Sequence, residues 1–343
     1  MRRYLNSVLP LFFLILLISP IFSRELQDEK EKIESAISIA EDSTSKSSKQ
    51  NEDENAVAET KSGIEPKWEF SAGAIGVFLN KPEIKAGNTH FSGVDSFEAF
   101  LLPDASADFS LEFYKNSAFP LLTIKASTAL TLLYLEESVS LSVPIPFFPL
   151  VSFSVGAEIL TGLFYNYGVY DPNKKEYEEN GGFQNFQYKF SGTANLFLPF
   201  SNKMTVLGYY ELAYDGLTGA ADSDLWTGGN FNGLSHSAGV AALYYLPAKL
   251  DLIGFLGITT AKLDDSSLDS RYSDFDGTFR SYLVSPFANF SFNKKNSLFL
   301  LAPFGNRRSF SVLHKDSDEE PLLKTSGSEW AWMGIILKYT HKF

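Results

Sequence analysis

From Lys67 to Phe343, apolar and polar residues alternate with a period of two. Ala105, Ala107, Phe109, Leu111 and Phe113 stand against Ser106, Asp108, Ser110 and Glu112. Val151, Phe153, Val155, Ala157 and Ile159 stand against Ser152, Ser154, Gly156 and Glu158. Phe186, Tyr188, Phe190, Ala194, Leu196 and Leu198 stand against Gln187, Lys189, Ser191, Thr193 and Asn195. Successive side chains of a strand point to opposite faces, so each run presents one apolar and one polar face. About twelve such runs are readable: 67–79, 96–114, 120–134, 137–145, 150–167, 184–198, 204–215, 234–246, 250–262, 278–292, 297–304 and 328–343. Ten and fourteen are the alternatives, because 137–145 is short and 96–114 could divide.

The connections alternate as well. Breaks at 114–119, 146–149, 199–203, 247–249 and 293–296 are brief. Those at 80–95, 168–183, 216–233, 263–277 and 305–327 are long and polar, and only the link near Glu136-Glu137 departs from the rule. Long loops therefore gather at one end, and an even strand count places both chain ends at the other. The expected fold is all-β, one closed antiparallel sheet.

Period two alone does not say which face is outside, since a soluble sheet hides its apolar face. Three features place it outward, toward lipid. Several runs exceed the ~5–6 residues usual for soluble strands and suit the ~9–11 of a tilted membrane span. The polar faces are mainly Ser, Thr, Gly, Asn and Gln with isolated charges. Tyr209-Tyr210, Tyr214, Tyr244-Tyr245 and Tyr339 gather near run ends, where interfacial girdles lie. Lipid cannot satisfy an open sheet edge, so such a sheet closes on itself.

The N-terminus reads differently. Arg2 and Arg3, an apolar stretch from Leu9 to Ile21 and the small Ser23 give residues 1–23 the layout of a secretory signal. At 13 residues, interrupted by Pro10 and Pro20, that stretch is short for a spanning helix of about 20. Residues 24–66 carry 12 acidic and 6 basic side chains and few apolar ones beyond a short heptad at Leu26, Ile33 and Ala40. They read as an acidic, mostly disordered periplasmic extension, with 67–343 as the barrel. The net charge of −12 excludes a basic nucleic-acid footprint. With no cysteine there is no disulfide framework. Tyr and Phe total 16 and 31, a heavy aromatic use that fits a β-rich membrane protein.

The last run, Ser328-Glu-Trp-Ala-Trp-Met-Gly-Ile-Ile-Leu-Lys-Tyr-Thr-His-Lys-Phe343, resembles the C-terminal strand of bacterial outer-membrane β-barrels. In that class a final aromatic residue, preceded by apolar residues at every second position, is recognised by the barrel-assembly machinery. Phe343, Tyr339 and Leu337 match the pattern, and His341 departs from it. The resemblance implies residence in the outer membrane, with its lipid and the assembly machinery as partners. It reaches the class and no particular family.

Candidate chemistry is sparse. His236 lies between Ser235 and Ser237, an echo of the His/Ser spacing of outer-membrane lipid hydrolases, but parity puts the serines on the opposite face. Loop acids such as Asp264, Asp265, Asp274 and Asp276 with His314 are the material of an outer-membrane protease, and are more simply solvated loop charges. The four histidines have no ligand spacing, so no metal, cofactor or catalytic residue is expected. The polar face is more telling. Candidate lumen residues are Asp108, Glu112, Lys125, Glu158, Lys189, Glu211, Asp251 and Lys338, with Glu69 and Glu98 on the same reading. Eight strands leave room only for side chains and sixteen leave a channel. Twelve lies between, so two functions stay open. One is a porin-like conduit for small hydrophilic solutes; the other is a non-conducting structural or surface-interaction barrel.

Overall fold

The computed structural model describes residues 61–80, 97–117, 120–145, 148–163, 169–171, 176–178, 183, 186–201, 203–218, 233–246, 250–262, 280–314 and 322–343. The first 60 residues, and with them the expected signal and most of the acidic extension, lie outside this set. The strands in chain order are β1 (Lys61–Asn80), β2 (Phe97–Ser117), β3 (Leu122–Thr131), β4 (Tyr134–Ile145) and β5 (Phe148–Gly162). A minor pair follows, β6 (Val169–Asp171) and β7 (Glu176–Glu178). Next come β8 (Phe186–Ser201), β9 (Met204–Leu217), β10 (Gly233–Tyr245), β11 (Leu250–Lys262) and β12 (Ser281–Asn293). The chain ends with β13 (Asn296–Leu301), β14 (Phe304–His314), β15 (Leu322–Trp332) and β16 (Gly334–Lys342).

All pairings are antiparallel and most join neighbours in sequence; β5 pairs with β8 past the minor pair, β13 pairs with β16, and β11 pairs with β12 to complete the circuit. Closure comes at β1–β16, where Ser71 to Leu79 pair with Lys342 to Gly334. Twelve strands form the ring: β1 to β5, β8 to β13, and β16. That is the architecture expected from the alternation.

Two details differ from the sequence reading. The segment 305–327 is largely a hairpin, because β14 and β15 pair from Phe304↔Trp332 up to His314↔Leu322. They continue β13 and β16 past breaks at Ala302-Pro303 and Met333. Relative to β12, β13 and β14 keep one register. Met333 is thus an extra residue on the last strand, a bulge whose following Gly334 has φ 131°. Met333 N donates to Pro303 O at 2.8 Å, so the kink keeps its hydrogen bonding. The second difference is at the start, where β1 begins at Lys61 rather than Lys67 and pairs with the end of β2. The exceptional short link is also displaced: Glu136 and Glu137 are inside β4, and the link is a two-residue turn at Leu132-Leu133. There Thr131 Oγ1 accepts from Leu133 N (3.0 Å) and Tyr134 N (3.1 Å).

The outer face is apolar. Trp68, Leu101, Phe153, Val155, Phe190, Tyr210, Val240 and Phe255 are each at least half exposed on it. In water such a continuous apolar girdle would be untenable for a monomer, and lipid is the solvent that suits it.

The inner face divides in two. On β10 to β13 and the loop-end halves of β1 and β16 it is packed and mostly apolar: Ile336 and Val77 are 0% exposed, and Leu243, Leu256, Leu301 and Phe287 no more than 3%. The rings of Phe287 and Phe299 sit 6.0 Å apart. A Cβ on Gly254 would fall 2.4 Å from Phe287 Cζ, so that glycine makes room for the ring. On β2 to β5, β8 and β9 the inward residues are mostly polar, and many keep partial access to water.

Candidate functional site

The polar interior begins at the closing seam. Asp104 on β2 is opposite Gly73 on β1, and Lys338 on β16 is opposite Ile75. Their side chains meet across β1, Lys338 Nζ lying 3.3 Å from Asp104 Oδ2, and each is only 9% exposed. Gly73 permits this, since a Cβ there would stand 3.1 Å from Asp104 Oδ1 and collide with Tyr339 O. Toward the turn end, Lys342 binds Glu69 at 2.9 Å and Lys67 binds Glu112 at 2.9 Å. Ser71 and Ser106 share a hydrogen bond of 2.7 Å between these levels. Ion pairs thus run down the seam from β16 through β1 to β2. Asp108 faces Ser127, and Lys125 faces Ser110, which lies between Asp108 and Glu112.

A second charged group lies toward the loop end of β4, β5, β8 and β9. Lys189 is directly opposite Glu158 on one side and Asp215 on the other. Its ammonium binds Glu211 at 2.7 Å. Glu136 faces Leu160 on the same inner surface, and Asp215 accepts a 2.7 Å hydrogen bond from Ser235 Oγ. Four carboxylates here surround one lysine, so the wall carries a local excess of negative charge. Such a surface raises the local concentration of cations, most strongly where low-dielectric walls confine the field.

The lumen candidates from the sequence therefore divide. Asp108, Glu112, Lys125, Glu158, Lys189, Glu211 and Lys338 are on the inner face by register. The side chain of Asp251 lies outside the described set, beside a register shift between Leu250 and Leu252. The same holds for the Glu98 side chain. Sequence reading missed Asp104, Glu136, Asp215, Lys67 and Lys342. Strand parity alone would have found Asp104, Asp215, Lys67 and Lys342, each an even step from a residue already chosen on its strand, whereas β4 offered no such residue for Glu136.

The terminal residues Leu337, Tyr339 and Phe343 are on the outer face, where Phe343 is 76% exposed and its N–H donates to Phe70 O at 3.1 Å. His341 Nδ1 and Tyr339 Oη both meet Asn296 Oδ1, at 2.8 and 2.6 Å. His236 faces outward, while Ser235 is bound to Asp215 on the inside, so the His/Ser spacing assembles no catalytic couple. Among the described residues no group of three or more His, Cys, Asp or Glu is placed to hold a metal.

A closed antiparallel barrel, apolar outside and carrying charges along half of its interior, defines a transmembrane β-barrel. No protein-family model matches the chain, and no curated protein sequence is detectably related to it. Solved structures of similar shape include an outer membrane channel from Pseudomonas putida F1, 13% identical over 85% of this chain and all of that one, TM-score 0.37. The KdgM porin is 8% identical, with 79% and 99% of the two chains covered and TM-score 0.34. An anion-selective porin from Comamonas acidovorans is 6% identical, with 82% and 100% covered and TM-score 0.36. Likeness of this degree leaves the identification to the barrel's own geometry.

Proposed function

We propose that the protein is an outer-membrane channel for passive diffusion of small hydrophilic solutes, with a preference for cations. The observation that carries this reading is the polar, partly water-accessible inner wall from β2 to β9. Its carboxylates outnumber its lysines, most clearly around Glu136, Glu158, Glu211 and Asp215. Water and ions would pass along this wall, while the dry half acts as a filler that narrows the cross-section. Export through residues 1–23 and insertion signalled by Phe343 belong to the same proposal.

The packed apolar half also favours a second reading, a non-conducting barrel that acts through its loops. Single-channel recording on refolded protein in planar bilayers separates the two. Discrete conductance steps support the channel. A folded barrel that never conducts supports the structural reading.

A further inference from the structure

We propose that Tyr210, His236 and Arg280 form a site on the outer wall for the phosphate of an anionic membrane lipid. The inference rests on the bilayer placement of the barrel and is independent of conduction.

His236 is opposite Leu212 on β9 and Ala261 on β11, on the same face as the exposed Val240 and Tyr244. Its Nδ1 is 3.4 Å from Tyr210 Oη and its Nε2 is 3.5 Å from Arg280 Nη2. Arg280 immediately precedes β12, so its side chain crosses β11 to reach β10. The outward Ala261 beside His236 is only 6% exposed. Three strands of the wall thus contribute to one polar patch on an otherwise apolar surface.

Donor arithmetic shows what the patch lacks. A guanidinium only donates, so His236 Nε2 accepts from Arg280, and Nδ1–H then donates to Tyr210 Oη. The Tyr210 hydroxyl proton and the remaining guanidinium N–H groups are left facing outward. Among the described residues, neither Tyr210 nor Arg280 has a side-chain acceptor other than this histidine, and no carboxylate pairs with Arg280. An anion with several acceptor oxygens would complete the patch that the described residues form. A phosphate matches the planar fork of arginine.

Height on the barrel identifies the source. Tyr282, two residues beyond Arg280 on the same face, stacks with Trp330 at 6.4 Å, and Trp330 stacks with Phe304 at 5.8 Å. Such an aromatic cluster at the loop end marks the headgroup level of a bilayer. An arginine deeper in the apolar belt would be costly, whereas at this level it meets lipid phosphates.

The test is native mass spectrometry of the full chain, refolded in detergent and mixed with phosphatidylglycerol or phosphatidylcholine. Wild type should retain phosphatidylglycerol in preference to phosphatidylcholine. Arg280→Gln should retain about tenfold less phosphatidylglycerol, as expected for losing a charge-assisted contact. Tyr210→Phe and His236→Gln should reduce it in the same direction, and they carry the test if Arg280→Gln does not fold. Lys294→Gln with Lys295→Gln, at the opposite rim, should leave retention unchanged. Equal retention by wild type and the folded variants would overturn the site. An equal loss in the lysine control would reduce it to general charge, and displacement of the lipid by equimolar inorganic phosphate would overturn the lipid assignment.

Discussion

Removing the Lys338 ammonium tests whether the seam is as dry as its geometry indicates. Lys338 and Asp104 are each 9% exposed, 3.3 Å apart, and Asp104 Oδ1 has no hydrogen-bond partner. At an effective dielectric constant of about 20, unit charges at this distance attract by roughly 5 kcal/mol. Much of that attraction is offset by the loss of water around both ions. The telling quantity is the asymmetry between breaking the pair and deleting it. Lys338→Met leaves the buried Asp104 carboxylate without its partner, and should cost about 3 kcal/mol, the lower end for a broken buried pair. Adding Asp104→Asn removes the stranded charge and should recover at least about 1 kcal/mol of that loss. The assay is urea titration of the barrel in detergent, followed by tryptophan fluorescence. Additive single and double variants, or a Lys338→Met barrel within about 0.5 kcal/mol of wild type, would mean that water reaches the pair and that the seam is wet.

Reversal potentials in asymmetric KCl should show cation preference, weakening at high salt as screening shortens. Glu136→Gln with Glu158→Gln should lower that preference, and Lys189→Gln should raise it; anion selectivity of the intact protein would refute the charge argument. Phe287→Ala should lower the unfolding free energy by about 3–5 kcal/mol, as for a filled core, and a change below about 1 kcal/mol would show that its side of the barrel is not packed. Deleting Phe343, whose ring is exposed and whose described ties are one backbone hydrogen bond and an edge-to-face contact with His341, should reduce the amount reaching the outer membrane while leaving refolding in detergent largely intact. Normal insertion of the deletion in cells would remove the assembly role.

The strand ring was legible because most runs must satisfy two solvents at once. β2, β3, β5 and β8 put Phe, Val and Leu toward lipid and Ser, Thr, Asp and Lys toward the interior, so period two is plain in their sequences. The hairpin of β14 and β15 was not legible. Residues such as Arg307, Arg308, Ser309, Lys324, Thr325 and Ser326 are polar at both parities. Cross-strand hydrogen bonds hold that hairpin together, and they leave no mark on hydropathy. The bulge at Met333 was hidden for a related reason. An extra residue changes register without changing composition.

The dry half of the interior did have a signal, of a kind that an expectation of alternation passes over. Leu252-Ile-Gly-Phe-Leu-Gly-Ile258, Leu298-Phe-Leu-Leu301 and Ile335-Ile-Leu337 are apolar at consecutive positions. A strand that is apolar on both faces is covered on both faces. Here lipid covers one and the packed interior covers the other: Leu256 is 1% exposed and its neighbour Phe255 is 55% exposed. The division of the lumen follows from this contrast between alternating and continuous strands. Most of the inward charge is on the strands that alternate, so Asp108, Glu158 and Lys189 fall on one wall, with Lys338 and Lys342 of β16 at its border. A conduit through this barrel would therefore run off its axis, along β2 to β9. Any selectivity would be set by that wall alone.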